Sequence, residues 1–357
     1  MKLLKLLLIN GIVFICLFLQ AEFITRVYVD GSLRQAWISL QNEFAQTPYS
    51  KLGAMQWLLS DPELGYRLNP AHPDINRFSI RHGDLEIPKP PGRQRLLVLG
   101  DSIAWDRPGL VDYLEESLRG HSSLEIINAS VPGYTTYQEL LFLKQWLLPL
   151  EPDCILLIHC LNDHHRFLHT FDAEMNFLMT PEARRSLRTR TIWDRMTARS
   201  YLLSRLQLEW RMRGELRQVR QDAFPWENRP DMANAWKPEK WEEFGVLLEE
   251  MKSVAAQRGA KLCVVSVPFE PQLDAGLLRR NREYVLLPQS QMDTLCTRLN
   301  VPLLDLFPVF FQPETGSALF RDGIHLTEAG HRLAADKIAG FLNQLTEWDS
   351  YASTQDR

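Results

Sequence analysis

The sequence holds few of the signals that most often declare a function. Its 40 Lys and Arg stand against 44 Asp and Glu, a formal net charge of −4, and no stretch carries a dense basic run. A nucleic-acid partner is not expected, because binding a phosphate backbone needs a basic face. Only five cysteines occur in 357 residues: Cys16, Cys154, Cys160, Cys263 and Cys296. None forms a CxxC pair, which excludes a zinc ribbon or a thioredoxin-like motif. No GxGxxG or Walker loop is present, so nucleotide chemistry is not expected, and no HExxH pattern is present. His159, His164, His165 and His169 cluster in sequence, but His164 and His165 are adjacent and would diverge. No metal and no cofactor is expected. Repeats and low-complexity tracts are also absent.

A long apolar run occurs at the N-terminus. Lys2 and Lys5 precede residues 6–19, which only Asn10 and Gly11 interrupt, and Gln20 and Glu22 end the run. A spanning helix needs about 20 apolar residues, so the run is short for one. An A-x-A cleavage pattern is lacking, because Leu19 stands where a small residue would precede Ala21. Phe23, Ile24 and Val27 extend the apolar character. The expectation is an uncleaved signal anchor over residues 1–25, with the lysines cytoplasmic and the rest exported. A cleaved signal peptide, the alternative, would leave a secreted protein.

Residues 26–60 read as helical, with Trp37, Leu40 and Phe44 at helical spacing and Leu52, Met55 and Leu59 repeating it. Prolines 62, 70, 73, 88, 90 and 91 then punctuate a loop-rich stretch. Together residues 26–93 form an arm before the main domain, 94–346, and residues 347–357 form a tail. Short apolar runs predict parallel strands at 96–99, 125–128, 154–160, 261–267 and 302–306. Helical spacing predicts helices at 110–118, 137–148, 241–258, 289–299 and 327–345, the last capped by Thr327. Strands alternating with helices imply a central parallel sheet of about five strands with helices on both faces. The four cysteines after the N-terminal segment read as buried small hydrophobes.

Residues 164–238 break the alternation. A charged helical section at 191–220 is followed by a stretch rich in Pro, Asn and Trp. It reads as an insertion over the carboxyl ends of the strands, where such sheets bind substrate. Trp193 and Trp210 are expected in its own core, while Phe224 and Trp226, in a Pro-containing loop, are expected to line a substrate groove.

Four polar groups fall where a substrate would sit. Gly100-Asp101-Ser102 follows the first predicted strand, so the serine lies at the carboxyl edge of the sheet. Gly133 follows the second strand, in a loop where a backbone N–H can approach a ligand. Asn162-Asp163 ends the third, and its amide is a candidate oxyanion donor. Asp322-Gly323-Ile324-His325 stands just before the last helix. A serine needs a base to take its proton, and a histidine titrates near neutrality with a carboxylate to hold its tautomer. Each motif alone is a common turn. Jointly they supply every part that acyl transfer needs.

This order and spacing resemble the SGNH hydrolases, or GDSL esterases and lipases, over residues 95–345 outside the insertion. The resemblance implies a flavodoxin-like three-layer α/β sandwich. It implies Ser102 as nucleophile, with its N–H, Gly133 and Asn162 as the oxyanion hole, and His325 and Asp322 as base and partner. Asp101 and Asp163 are expected to face substrate. Cys160 departs from the pattern, since the family places glycine before x-Asn-Asp; a thiol there is expected to tighten the pocket beside Asn162. The segment 61–67 looks like a leader of exported bacterial members. The expected function is a serine esterase acting on an acylated envelope glycan or a lipid. An O-acyltransferase for a surface polysaccharide is the alternative, and a non-catalytic glycan-binding scaffold is a third reading that an intact Ser102, Asp322 and His325 disfavour.

Overall fold

The computed structural model describes residues 2–30, 33, 57–168, 170–171, 177–178, 202–203, 223–229, 231–311 and 316–345. Trp193, Trp210 and most of the expected helix at 191–220 lie outside them, as do residues 34–56 and the tail 347–357. The chain divides into two compact units. One comprises Met1–Trp57, Asp172–Phe177 and Glu182–Ala223; the other comprises Leu58–Phe171, Leu178–Pro181 and Phe224–Arg357.

In the first unit, helix α1 spans Lys2–Asp30, past the expected end of the apolar run. Ile12, Val13, Phe14, Ile15, Leu17, Leu19 and Ile24 are exposed on it. Glu22 is buried, and its Oε2 accepts from the Leu202 backbone N–H at 2.9 Å. Among the described residues no helix is long and apolar enough to cross a membrane.

The second unit is built on five parallel strands. They are β1 (Gln94–Gly100), β2 (Leu124–Asn128), β3 (Cys154–His159), β4 (Lys261–Ser266) and β5 (Leu303–Asp305). Their order is β2-β1-β3-β4-β5. The chain therefore leaves β1 in one direction for β2 and returns past it to β3, and the crevice at such a reversal is where open α/β sheets bind ligands. The register sets Gly100 opposite Ile158, so the segments that leave β1 and β3 emerge side by side.

Burial explains the strands. β3 is buried at every position, as expected of a central parallel strand covered on both faces. Leu96, Val98, Leu156, Ile158, Cys263 and Val265 face one helical layer, α2 (Leu110–Ser117) and α7 (Glu328–Leu345), in a single apolar cluster. The opposite layer holds α3 (Thr136–Phe142), α4 (Pro238–Gln257) and α6 (Leu287–Leu299). Helix α5 (Ala275–Val285) joins α6 and was not foreseen from the sequence. The helix expected at 137–148 is shorter. It widens into a π-turn at Leu143–Leu147 and closes in a 3₁₀ turn at Leu148–Leu150, where Pro149 has no N–H to donate.

The expected helical reading of residues up to 60 fails at Leu59. Leu58–Asp61 and Gly65–Leu68 instead form an antiparallel hairpin. Its alternating burial, with Tyr66 and Leu68 inward, has period two rather than 3.6. All four later cysteines are buried and free; Cys154 and Cys263 sit on neighbouring strands with their sulfurs 3.7 Å apart.

Candidate active site

The strand-to-helix turn after β1 positions the nucleophile candidate. A Cβ on Gly100 would come 3.1 Å from Ala104 Cβ and 3.2 Å from Ile158 Cβ, so a side chain there would push these neighbours back by a few tenths of an ångström. Asp101 then caps the following turn, its Oδ1 accepting from the Ile103 N–H at 2.9 Å. Ser102 is left half-buried at the sheet edge.

The loop before α7 delivers the other two groups. His325 Nε2 lies 2.9 Å from Ser102 Oγ, across 223 residues of chain. His325 Nδ1 lies 2.8 Å from Asp322 Oδ2 and 3.0 Å from Oδ1. Asp322 Oδ1 also accepts from the His325 backbone N–H at 2.9 Å and the Ile324 N–H at 3.3 Å. Gly323 between them has φ +86°, a left-handed conformation that a side chain would strain. Burial pushes the Asp322 carboxyl up, but the His325 and Ile324 hydrogen bonds and the imidazole outweigh it, and the net direction is below the ordinary value. An ionised Asp322 fixes the proton on Nδ1, which leaves Nε2 free to accept from the serine.

The loop is braced from below. Arg321 N–H donates to His325 O at 2.9 Å, and the Arg321 guanidinium meets Asp106 Oδ2 at 2.9 Å. His331, on the last helix, is 3% exposed and reaches the same Asp106 oxygen at 3.5 Å. Burial drives its pKa down, against the pull of Asp106. Nothing in a helical pattern marks which of its polar residues turns inward, so this role was invisible in the sequence.

Two further donors flank the serine. The Asn162 side chain is buried and donates through Nδ2 to Asp101 Oδ2 at 2.9 Å. That bond uses one of the two amide hydrogens and fixes the direction of the other. Gly133 has φ +75° in a turn closed by Tyr134 N–H to Val131 O, and Val131 N–H donates to Gly100 O, tying the turn to the end of β1. Two tyrosines clamp this turn reciprocally: Tyr66 O–H donates to Pro132 O at 2.7 Å, and Tyr134 O–H to Tyr66 O at 2.6 Å. Segment 61–67 thus serves as a buttress of the glycine turn, a role its sequence did not announce.

Three expectations are corrected. Asp101 and Asp163 do not face substrate: they are 1% and 2% exposed, and their oxygens accept from Ile103, Asn162 and Cys160. Phe224 and Trp226 do not line a groove. Phe224 stacks on Trp226 at 5.1 Å, Trp226 stacks on Trp236 at 4.2 Å, and Trp226 is fully buried with Leu161 and Phe269 in the same cluster. The large apolar surface of an indole is worth more inside than in a loop exposed to water. Trp226→Ala is therefore expected to cost about 3–5 kcal/mol of stability. Chemical denaturation would measure that loss, and large and small esters should lose turnover alike. Last, the Cys160 thiol is buried in the apolar cluster under the sheet, and burial pushes its pKa far up, so it is an inert space-filler.

His159 and His164 are also buried, 3.2 Å apart between their Nε2 atoms. Burial lowers both, His159 to about 3, so the pair is neutral and one imidazole donates to the other.

The sequence matches the GDSL-like Lipase/Acylhydrolase family over residues 98–333, well over half of the chain. The chain belongs to this family. As a GDSL-like acylhydrolase it is an enzyme that hydrolyses esters at a serine. Three solved structures are similar to it at low identity. A lipase/acylhydrolase from Enterococcus faecalis is 14% identical with a TM-score of 0.41, covering 71% of this chain and 96% of that one. A catalytic mutant of an acetylxylan esterase from Geobacillus stearothermophilus is 15% identical with a TM-score of 0.42, covering 71% and 95%. The psychrotrophic esterase EstA from Pseudoalteromonas sp. is 14% identical with a TM-score of 0.38, covering 71% and 98%. No curated protein sequence matches the acylhydrolase.

Proposed function

We propose that this acylhydrolase removes a short acyl group, acetyl foremost, from an envelope glycan through an acyl-enzyme on Ser102. The observation that carries the reading is the continuous relay from Ser102 Oγ through His325 to Asp322, at 2.9 and 2.8 Å. In this mechanism His325 Nε2 takes the serine proton as Oγ attacks the ester carbonyl. The resulting imidazolium is stabilised by Asp322 and then returns the proton to the departing sugar hydroxyl. The Ser102 N–H, the Gly133 N–H and the second Asn162 amide hydrogen receive the oxyanion. Water repeats the sequence to release the acid.

The rim supports a hydrated substrate over a lipid. Asp322 and Arg321 are each half-exposed, and Arg229, held by Asp231, lies close enough to feel the charge of Asp322. Charged groups at the mouth suit a sugar better than an acyl tail. The test is acyl release without any sugar acceptor, from p-nitrophenyl esters of increasing chain length and from acetylated glycans. Acetate release into water is expected. Transfer only in the presence of an acceptor would make the enzyme an acyltransferase, and a preference for long chains would return the lipid reading.

The same reading places the enzyme outside the cytoplasmic membrane, attached through residues 1–25. Lys2 and Lys5 and the exposed apolar side chains of α1 support attachment. Protease added to spheroplasts should degrade the hydrolase unit, and a protected unit would reverse the topology.

A further inference from the structure

Three carboxyl groups lie buried beneath the site, and the acyl-transfer steps use none of them. Asp101, Glu139 and Asp163 are 1%, 1% and 2% exposed. Two have evident tasks. Asp101 orients the Asn162 amide, and Asp163 Oδ2 accepts from the Cys160 N–H at 3.0 Å, closing the turn Leu161–Asp163 that carries Asn162. Glu139, on α3, has no such task. Both its oxygens, Asp163 Oδ1 and Thr136 Oγ1 are buried without a hydrogen-bond partner among the described residues.

Orphaned acceptors on two neighbouring carboxyl groups have a simple resolution. A carboxylate only accepts, whereas a neutral carboxyl also donates, so one proton satisfies an oxygen on each group. We propose that Glu139 is a positioning residue for the oxyanion donor: as the neutral acid it donates to Asp163 Oδ1 and so holds the turn that presents Asn162 to the acyl carbonyl. The proposal rests on the esterase reading of Ser102 and Asn162.

The surroundings favour the shared proton. Glu139 is raised well above the ordinary carboxyl value, first by burial and then by the Asp101 charge, against the nearby Thr136 hydroxyl, whose single proton can serve only one of the two carboxyl groups. Asp163 is raised by burial, by Glu139 and by Asp101, against the Cys160 N–H and Thr136. The groups nearest the pair are Asp101 from the end of β1, the Cys160 thiol from the end of β3, Tyr134 from the β2–α3 connection and Thr136 at the start of α3. Asp163 also lines a cavity with His164, His165, Arg166 and, from α4, Lys240, but neither cation is among the groups that move the two carboxyls most. Asp101 is itself raised by burial, and His325 reaches only as far as this group, where it opposes that rise. Two carboxylates in such a space cannot both ionise cheaply, which is the condition under which dyads share a proton.

The folded state therefore keeps a proton that an unfolded Glu139 releases in the ordinary carboxyl range. Stability present below that range is lost as pH rises toward the raised value. Deprotonation would set like charges against one another and open the Asn162 turn, so turnover should also fall at alkaline pH.

Two variants separate these effects. Glu139→Gln keeps the shape and donates an N–H to Asp163 at any pH; Glu139→Leu fills the space without donating. Glu139→Leu should lower kcat for p-nitrophenyl acetate about 100-fold at neutral pH with little change in KM, the scale of a misplaced oxyanion donor. Glu139→Gln should restore kcat to within about threefold and abolish the alkaline fall. The proposal is overturned if Glu139→Leu stays within about twofold of wild type, if Glu139→Gln is as impaired as Glu139→Leu, or if it keeps the wild-type alkaline fall. If the wild type turned over no ester, the esterase reading would fail instead. The proton would still be decided by unfolding midpoints against pH in a Ser102→Ala background. There the chain that retains Glu139 should lose stability toward high pH and the chain that also carries Glu139→Gln should not; equal slopes would sink the shared proton.

Discussion

Replacing Ser102 with alanine should lower kcat/KM for p-nitrophenyl acetate by at least about a thousandfold while the unfolding midpoint stays near that of the wild type. The first half follows from chemistry: without Oγ there is no acyl-enzyme, and His325 Nε2 loses the proton donor 2.9 Å away. The second follows from packing. Ser102 is half-buried at the sheet edge, and the turn it begins is capped by Asp101 rather than by its own hydroxyl. A variant that kept turnover within about tenfold of wild type would remove Ser102 from the mechanism.

Asp322→Asn should be nearly as severe, a loss of about 10⁴-fold in kcat with the loop intact. An asparagine keeps one oxygen for the Ile324 and His325 backbone N–H groups, which now bond Asp322 at 3.3 and 2.9 Å. Its amide nitrogen, however, donates where the carboxylate accepts. His325 would then carry its proton on Nε2, facing Ser102 with a donor instead of an acceptor. Because the hydrogen bonds hold Asp322 below the ordinary carboxylate value, its charge persists in mild acid. The stability it contributes is present above the ordinary value and lost only as pH falls through the lowered one. The acid limb of the wild-type rate profile should therefore not report Asp322, and in Asp322→Asn that limb should keep its shape while the plateau drops. A variant with more than about a tenth of wild-type kcat would mean that the carboxylate does not set the tautomer.

The strands were readable because each one is a short apolar run between charges and turn residues. Expected ends at 96–99 and 261–267 differ from Gln94–Gly100 and Lys261–Ser266 only by a residue or two. Thr327 was readable as a cap because its hydroxyl accepts from the Gly330 N–H, a local bond three residues away. What failed depended on distant partners. Arg95 looks like the charged edge of a strand, yet it is fully buried, donating to Glu125, Leu150 O and Glu86 O. Asp101 and Asp163 sit beside Ser102 and Asn162 in sequence, and adjacency suggested a shared exposure. In the turns they occupy, neighbouring side chains point oppositely, so the residue next to a reacting group goes into the core. Phe224 and Trp226 were misjudged for the reverse reason. A proline-containing loop implied solvent, while Trp236 and Tyr284 supply an aromatic surface that only the fold brings near.

The long separation between the serine and its base also bears on how the enzyme is made. At about 5–20 residues per second, a ribosome needs roughly 10 to 45 s to extend the chain from Ser102 to His325, 223 positions on. Throughout that interval the nascent polypeptide carries a nucleophile with no base to activate it. Catalytic competence arrives only when α7 docks against α2 and seats the loop before it. Turnover is thus a stringent reporter of completed maturation, and chains cut short before His325 would accumulate as silent intermediates instead of premature esterases.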